Sequence, residues 1–460
     1  MEQKYNKKRI LSPAVLILRI AAAAAALAVF TLYIIKHQSE YKPAQFILPF
    51  VSLALFAAVF IVSAPKLVSL ISGKSEFAEP GRISAKRVFF VMLGAFGIHA
   101  VTMLLGIFIC SRLNPSYDAA YIWRNAWMKQ NTDAGHYLTI AENWYVKEGN
   151  DKLLIVFFPM LPVLIRAFNL LTRDSFISAQ IINALATVGA SGMTYMTLND
   201  VLGEKRARAS AFIALLLPGA IFMNSPMSEP LFLLFTMTAF FFMQRKRFLL
   251  SGVFVALSGF TRSLGAIGAV PLALIGLSHI IGLVKEKKKW GKALVLLIAG
   301  LAVSTLGTLV YLYINYSVHG DPFKFLEYQW SNWYQRSCPF FDTPRYVFSY
   351  AVGAYRNGET SFRALWLPQL IAIFGSLAFM IRSSRKLPAS YTAYFLCYFA
   401  VAVGCTWLLS SVRYLSAAVP VIAAFGLECD KEWKTAVLFV LLPVVYIIYT
   451  VMYMKGFGVY

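Results

Sequence analysis

Acidic residues are scarce in this chain. Aspartate and glutamate number 21 in 460 residues, against 43 lysines and arginines, and only 14% of the chain is charged. A soluble protein of this length needs a wetter surface. Cysteine is scarce too. Five are present and scattered, too few for a disulfide scaffold, and Cys110, Cys397 and Cys405 lie in or beside apolar runs, where they read as small packing residues. The five histidines form no cluster with cysteine that suggests structural zinc. No HExxH motif occurs, the polar loops hold no DxD, and no P-loop is present. These absences lead to an expectation of no metal, no cofactor and no ATP-driven step.

Hydrophobic residues are plentiful, at 59%, and the mean hydropathy is +0.64. Long continuous apolar runs recur from end to end, at 11–34, 45–65, 88–110, 174–197, 209–224, 228–244, 248–261, 264–284, 293–317, 364–381, 389–409, 412–427 and 434–454. Such runs predict an all-α polytopic membrane protein with about 11–14 transmembrane helices. A membrane β-barrel would show short alternating segments instead. The first run is long for a signal peptide and reads as a retained signal anchor. The segment 153–171 is apolar but carries Pro159 and Pro162, which break a helix early.

The net charge of +22 does not call for nucleic acid, because the basic residues sit mostly in short loops between apolar runs. They cluster at Lys7–Arg9, Lys66–Arg87, Lys205–Arg208, Arg245–Arg247, Lys285–Lys289, Arg382–Lys386 and Lys431–Lys434. If 153–171 does not cross the membrane, all of these fall on the side of the N-terminus, so the positive-inside bias predicts a cytoplasmic N-terminus and a non-crossing segment. The outer face then receives 111–152, 224–230, 261–265, 318–363 and 410–414.

Those outer segments hold the unusual side chains. The loop 111–152 carries five acids, Asp118, Asp133, Glu142, Glu148 and Asp151, with four tyrosines and three tryptophans. Asp133 stands just ahead of a stretch with helical spacing at His136, Ile140 and Trp144. It suits a helix cap, and equally a general base beside His136. Glu229 starts an apolar run and reads as a helix-start acid or as a buried charge with a purpose. Arg262 and Arg413 depart from the cytoplasmic bias and suit pairing with Glu229 or a lipid phosphate, with snorkelling the plainer alternative for either. The loop 318–363 offers Asp321, Lys324, Glu327, Gln329, Trp330, Trp333 and Arg336, a mixture that suits sugar faces or the headgroup belt. Asp321–Pro322 also suits a local turn.

These residues occur in an ordered set of motifs. It runs Asp133-Ala-Gly-His136-Tyr137 with Ile140-Ala141, Phe157-Phe158-Pro159-Met-Leu-Pro162, Ser228-Glu229-Pro230-Leu231-Phe232, Thr261-Arg262-Ser263-Leu264-Gly265, Gly320-Asp321-Pro322 and Arg413-Tyr414. In order and spacing, over about 130–415, the set resembles the PIG-V-like mannosyltransferases, integral-membrane enzymes of the GT-C class. The chain departs from the family pattern at Thr132, where tryptophan precedes the aspartate, and at Trp144, where glycine precedes the tyrosine. The resemblance implies a GT-C fold with a non-cytoplasmic loop bearing the catalytic Asp133. It implies inverting transfer of a hexose, mannose in type, from a polyprenyl- or dolichyl-phosphate sugar to a lipid-linked glycan or other envelope acceptor. Substrate would be bound by His136, Tyr137, Glu229, Arg262, Asp321, Gln329, Arg413 and Tyr414, in a multi-pass protein of a prokaryotic cell membrane. One integral-membrane domain is expected over 1–460, with N-terminal helices 1–87, a catalytic core 88–317, an outer loop 318–363 and C-terminal helices 364–460. The competing readings are a transporter or flippase of lipid-linked sugars, which would place ionisable groups deep in its spans, and an assembly subunit, which would tolerate loss of Asp133.

Overall fold

A computed structural model describes residues 12–77, 81, 83–128 and 132–460. Lys7, Lys8, Arg9 and Arg82 of the basic clusters lie outside the described residues. The chain forms helices α1 Pro13–His37, α2 Ile47–Ile71, α3 Ala85–Leu113, α4 Ala119–Trp127, α5 Ala134–Asn143, α6 Met160–Thr172 and α7 Ser175–Leu202. There follow α8 Glu204–Ile213, α9 Glu229–Gln244, α10 Phe248–Thr261, α11 Ala269–Lys285, α12 Gly291–Ser304 and α13 Leu306–His319. The remainder is α14 Lys324–Trp333, α15 Thr343–Arg356, α16 Leu367–Ser383, α17 Ala389–Val403, α18 Ser411–Ser416, α19 Val419–Glu428 and α20 Glu432–Met454. Among the described residues the only strand-like pairing is one isolated bridge, Ser337 with Cys405.

Among the described residues, eight helices, counting α12 and α13 together, are long and apolar enough to cross a membrane, and two sharply bent pairs raise this to ten if each is one span. Four shorter apolar helices, α9, α10, α17 and α19, stand at the expected spans 228–244, 248–261, 389–409 and 412–427. The chain is a multi-pass helical membrane protein.

One bent pair is the 3₁₀ turn Asn150–Val156 with α6, which meet at 113°. The sequence explains the bend. Phe157 is extended, at φ −87° and ψ 135°, Phe158 precedes a proline and is disfavoured in helical conformation, and α6 begins only after Pro159. Pro162 falls in the first turn of α6, where its missing N–H costs nothing.

Ion pairs fix which ends lie together. Arg87 at the start of α3 pairs with Glu204 just past α7, while Arg124 on α4 pairs with Asp174 at the start of α7. α3 and α7 therefore run antiparallel, and the interval 114–174 leaves and returns at the same end. Arg245 pairs with Asp200 at 2.8 Å, Arg382 and Lys434 with Glu428 at 3.0 and 3.8 Å, and Lys285 and Lys66 donate to the carbonyls of Ser72 and Leu387. The described basic clusters thus share one end of the molecule.

α7 is the most enclosed of the eight long helices and carries a buried polar stripe, Gln180, Asn183, Thr187, Ser191 and Thr194. The second bent pair, α8 with the 3₁₀ turn Pro218–Asn224 at 69°, lies against it. Unpaired backbone carbonyls inside a membrane protein are costly. Gln180 donates to the Asn224 carbonyl at 3.1 Å, Asn183 to that of Ser225, and Ser191 to that of Ala211 at 3.2 Å. The polar stripe is what lets the chain break its helix there. The break in turn delivers Ser228 and Glu229 to the end opposite the basic clusters.

Candidate active site

At that opposite end lies a cavity of about 330 Å³. Its wall includes Asp133, His136 and Tyr137 at the start of α5, Phe157 and Phe158 from the bend, Arg262 after α10, and Arg413 and Tyr414 on α18. Gln329, Trp333 and Gln335 enter from α14 and the turn after it, and Tyr460 also lines it.

Asp133 occupies the cap position of α5, yet its side chain makes no capping hydrogen bond. Its Oδ2 instead accepts from an Arg413 NH group at 2.9 Å. The capping role weighed for this residue falls to its backbone carbonyl, which accepts from the Tyr137 N–H.

Two carboxylates share the arginines, and they differ in access. The Asp133 side chain is 30% exposed and lines the cavity, where it is the one acid among the lining residues. The Glu229 side chain is 3% exposed and does not line it. Glu229 Oε1 pairs with Arg262 and stands 3.2 Å from Arg413 Nε. As the first residue of α9 it also meets the positive end of the helix dipole. Glu229 therefore sits behind the arginines and bridges them, away from any molecule in the cavity. Ser228 extends the arrangement, accepting from Arg262 at 3.3 Å and meeting the Tyr137 hydroxyl at 3.1 Å. Burial pushes the Tyr137 phenol above its usual range, so it is a neutral hydroxyl and not a base. The Tyr414 ring lies beneath both guanidinium groups, 5.0 Å from Arg262 and 5.3 Å from Arg413.

Two close backbone approaches set the arginines in place. α10 ends at Thr261, Arg262 turns extended at φ −158°, and the next 3₁₀ turn folds back onto the helix. A Cβ at Gly265 would lie 2.1 Å from the Ser258 carbonyl carbon, so only glycine permits this return. A Cβ at Gly219 would lie 2.7 Å from the Val412 carbonyl oxygen and 2.9 Å from the Arg413 Cα. That contact presses the 3₁₀ turn Pro218–Asn224 against α18.

The far wall is aromatic and amide-lined. Phe157 packs against His136 at 5.0 Å and Trp333 at 5.9 Å. Gln329 donates to Gln335 at 2.7 Å, and Gln335 to the Trp407 carbonyl at 2.8 Å. The cavity thus offers one accessible carboxylate, two guanidinium groups and an aromatic–amide wall.

Of the residues singled out in the sequence, Asp133, His136, Tyr137, Arg262, Gln329, Trp333, Arg413 and Tyr414 line the cavity, and Glu229 lies directly behind it. Asp321 does not line it. Its carboxylate accepts from the Phe323 N–H at 2.9 Å, forming the local turn that the Asp-Pro pair suggested. Gln335, Ser410 and Tyr460 carry no mark in the sequence and reach the cavity through long-range packing. Among the described residues no group of three or more His, Cys, Asp or Glu side chains is placed to hold a metal ion.

No protein of curated function matches this chain. Among the solved structures that share a partial likeness are two oligosaccharyltransferase structures. One is the archaeal oligosaccharyltransferase AglB from Archaeoglobus fulgidus in complex with an inhibitory peptide and a dolichol-phosphate, 12% identical with a TM-score of 0.38. The other is the apo form of the Archaeoglobus fulgidus oligosaccharyltransferase, 12% identical with a TM-score of 0.33. Each alignment covers 79% of this chain and 56% of that protein, so this chain spans little more than half their length. A family model described as Mannosyltransferase (PIG-V) matches residues 101–322, which hold Asp133, Tyr137, Glu229, Arg262 and Asp321 but not Gln329, Arg413 or Tyr414. The resemblance read from the ordered motifs holds, and the family this chain matches through residues 101–322 is that of the PIG-V mannosyltransferases.

Proposed function

We propose that this chain is an inverting membrane glycosyltransferase. It moves a hexose, mannose in type, from a polyprenyl- or dolichyl-phosphate sugar to a lipid-linked glycan or other envelope acceptor. The observation that carries the reading is one accessible carboxylate, Asp133, held in a cavity beside two guanidinium groups backed by a single buried glutamate.

Each group has a task in such a transfer. The donor's sugar–phosphate diester bears one negative charge, which Arg262 and Arg413 are placed to receive. The acceptor hydroxyl gives its proton to the Asp133 carboxylate. Its oxygen bonds to the anomeric carbon as the bond from that carbon to the phosphate oxygen breaks, and attack opposite the leaving group inverts the centre. The polyprenyl phosphate leaves with the bonding pair, and its growing charge falls on the arginines. Trp333, Phe157 and His136 offer faces to the sugar, and Gln329 and Gln335 offer hydrogen bonds. Arg413 serves both carboxylates in the free protein. A phosphate drawing on Arg413 would release Asp133 for the hydroxyl proton.

The positive-inside bias supports a cytoplasmic basic end and a cavity on the opposite face of the membrane, and the short loops with the departures at Thr132 and Trp144 favour a prokaryotic cell membrane. The charged groups of the cavity gather at one end of the molecule, which favours an enzyme working at the membrane surface over a transporter. The test is transfer by purified protein from polyprenyl-phosphate-mannose to lipid acceptors. Asp133→Asn should lower kcat by roughly 10²–10⁴ while the protein stays folded and binds donor. Full turnover by that variant would remove Asp133 from the chemistry.

A further inference from the structure

A second cavity, of about 510 Å³, lies on the opposite side of α18 from the first. α18 is two-faced. Arg413 and Tyr414 point into the polar cavity, while Val412, Leu415 and Ser416 line an apolar groove. One wall of the groove is a single face of α16, Pro368, Ile371, Ala372, Gly375, Ser376 and Phe379, at helical spacing. The other wall is a face of α20 from Leu442 to Met452.

Two features set this groove apart from a lipid-facing surface that bulk hydrocarbon simply wets. First, Gly375 opens into it, since an added Cβ there would meet no atom within 4 Å. A glycine inside a helix costs about 1 kcal/mol against alanine, and no close helix packing requires this one. Second, the lining includes one cation, Arg363, which is exposed and has no ion-pair partner among the described residues. Arg363 precedes α16, whose far end carries Arg382 at the basic end. Arg363 therefore stands at the cavity end, where the groove meets the membrane surface.

We infer that this groove holds one anionic phospholipid, with an acyl chain along α16 and the phosphate against Arg363. The length favours that occupant. From Pro368 to Phe379 the wall runs roughly 16 Å, about half of a hydrocarbon core of ~30 Å. That is the depth of one leaflet, which suits an acyl chain and is short for a long polyprenyl chain. The charge is complementary, because an unpaired guanidinium at the headgroup level is a ready phosphate partner. α18 forms a wall of both cavities, so a lipid seated here braces the helix that carries Arg413.

Native mass spectrometry of protein extracted from nanodiscs of phosphatidylglycerol and phosphatidylcholine tests the assignment without any transfer assay. The expected result is one retained phosphatidylglycerol per chain. Arg363→Ala and Gly375→Leu should bind it roughly tenfold more weakly. Gly375→Ala, whose methyl meets open space, serves as the folding control and should retain it. Undiminished retention in both weakened variants would overturn the site, leaving Arg363 as a snorkelling side chain. Displacement of the phosphatidylglycerol by equimolar polyprenyl phosphate would overturn it in another way, by giving the groove to the donor chain.

Discussion

Both ends of this molecule are held by arginine–carboxylate pairs, and the two sets behave differently. At the basic end Arg87 and Glu204 meet with side chains 59% and 41% exposed, and Arg382 reaches Glu428 from an exposed position, although Arg245 and Asp200 form a more enclosed pair there. At the cavity end Arg413 and Glu229 are 7% and 3% exposed, and each belongs to two pairs. Exposed pairs gain little, because water and salt screen them and the side chains lose freedom on pairing. A buried pair has already lost its hydration, so removing one partner strands the other. The same chemistry thus marks topology at one end and builds a site at the other.

The largest expected effect comes from breaking the buried set at its centre. Glu229→Gln leaves Arg262 and Arg413 side by side with only Asp133 to offset them, and should cost about 3–5 kcal/mol. Thermal unfolding in detergent would show it. An unchanged Tm would mean that Glu229 does not hold the arginines. Next comes Arg413→Lys, which keeps the charge but not a planar group able to face Asp133 and Glu229 together. If Arg413 supports the departing phosphate, kcat should fall by roughly 10²–10³, with a smaller change in donor KM.

Much of this site was legible in the sequence because it violates the composition around it. In a chain poor in acids and with basic residues concentrated at one end, Asp133, Glu229, Arg262 and Arg413 are among the exceptions, and they are the ones carried by the ordered motifs beside apolar runs. The Phe-Phe-Pro bend was legible through its prolines. Glu229's place behind the arginines was not, because spacing along the chain cannot tell which of two carboxylates faces a cavity. Gln335 was hidden for a similar reason. It is brought in when residues 334–338 lie against 404–407, through the Cys338–Gly404 and Arg336–Thr406 backbone hydrogen bonds, a pairing that no local pattern announces. Asp321 stands apart from the cavity, with one carboxylate oxygen accepting from the Phe323 N–H of its own turn.

A smaller effect is expected at Tyr137. Its hydroxyl meets Ser228, which in turn accepts from Arg262. Tyr137→Phe should cost about 1 kcal/mol and leave the pH profile of transfer unchanged through the neutral range. The sign follows from the raised phenol. A group whose folded-state value lies above its unfolded value of about 10 contributes fully below that pH and loses the contribution as pH rises further. In unfolding compared at neutral and alkaline pH, the wild type's advantage over the variant should therefore shrink as pH rises above about 10. A wild-type advantage that grows with alkali would contradict the neutral, buried assignment.

The smallest effect closes the comparison. Arg87→Ala removes the pair to Glu204 that ties the start of α3 to the end of α7. The same two helices are also held by packing, with Val88 and Met92 of α3 against Gly192 of α7. The exposed pair should contribute only about 0–1 kcal/mol, and transfer by the folded variant should match the wild type because the change lies at the end away from the cavity. Raising the salt concentration should shrink even that difference, whereas the buried set around Glu229 should respond far less. A loss of transfer in Arg87→Ala as large as that in Arg413→Lys would mean that the two ends are coupled through α3 and α7. The contrast between a topological end and a chemical end would then fail.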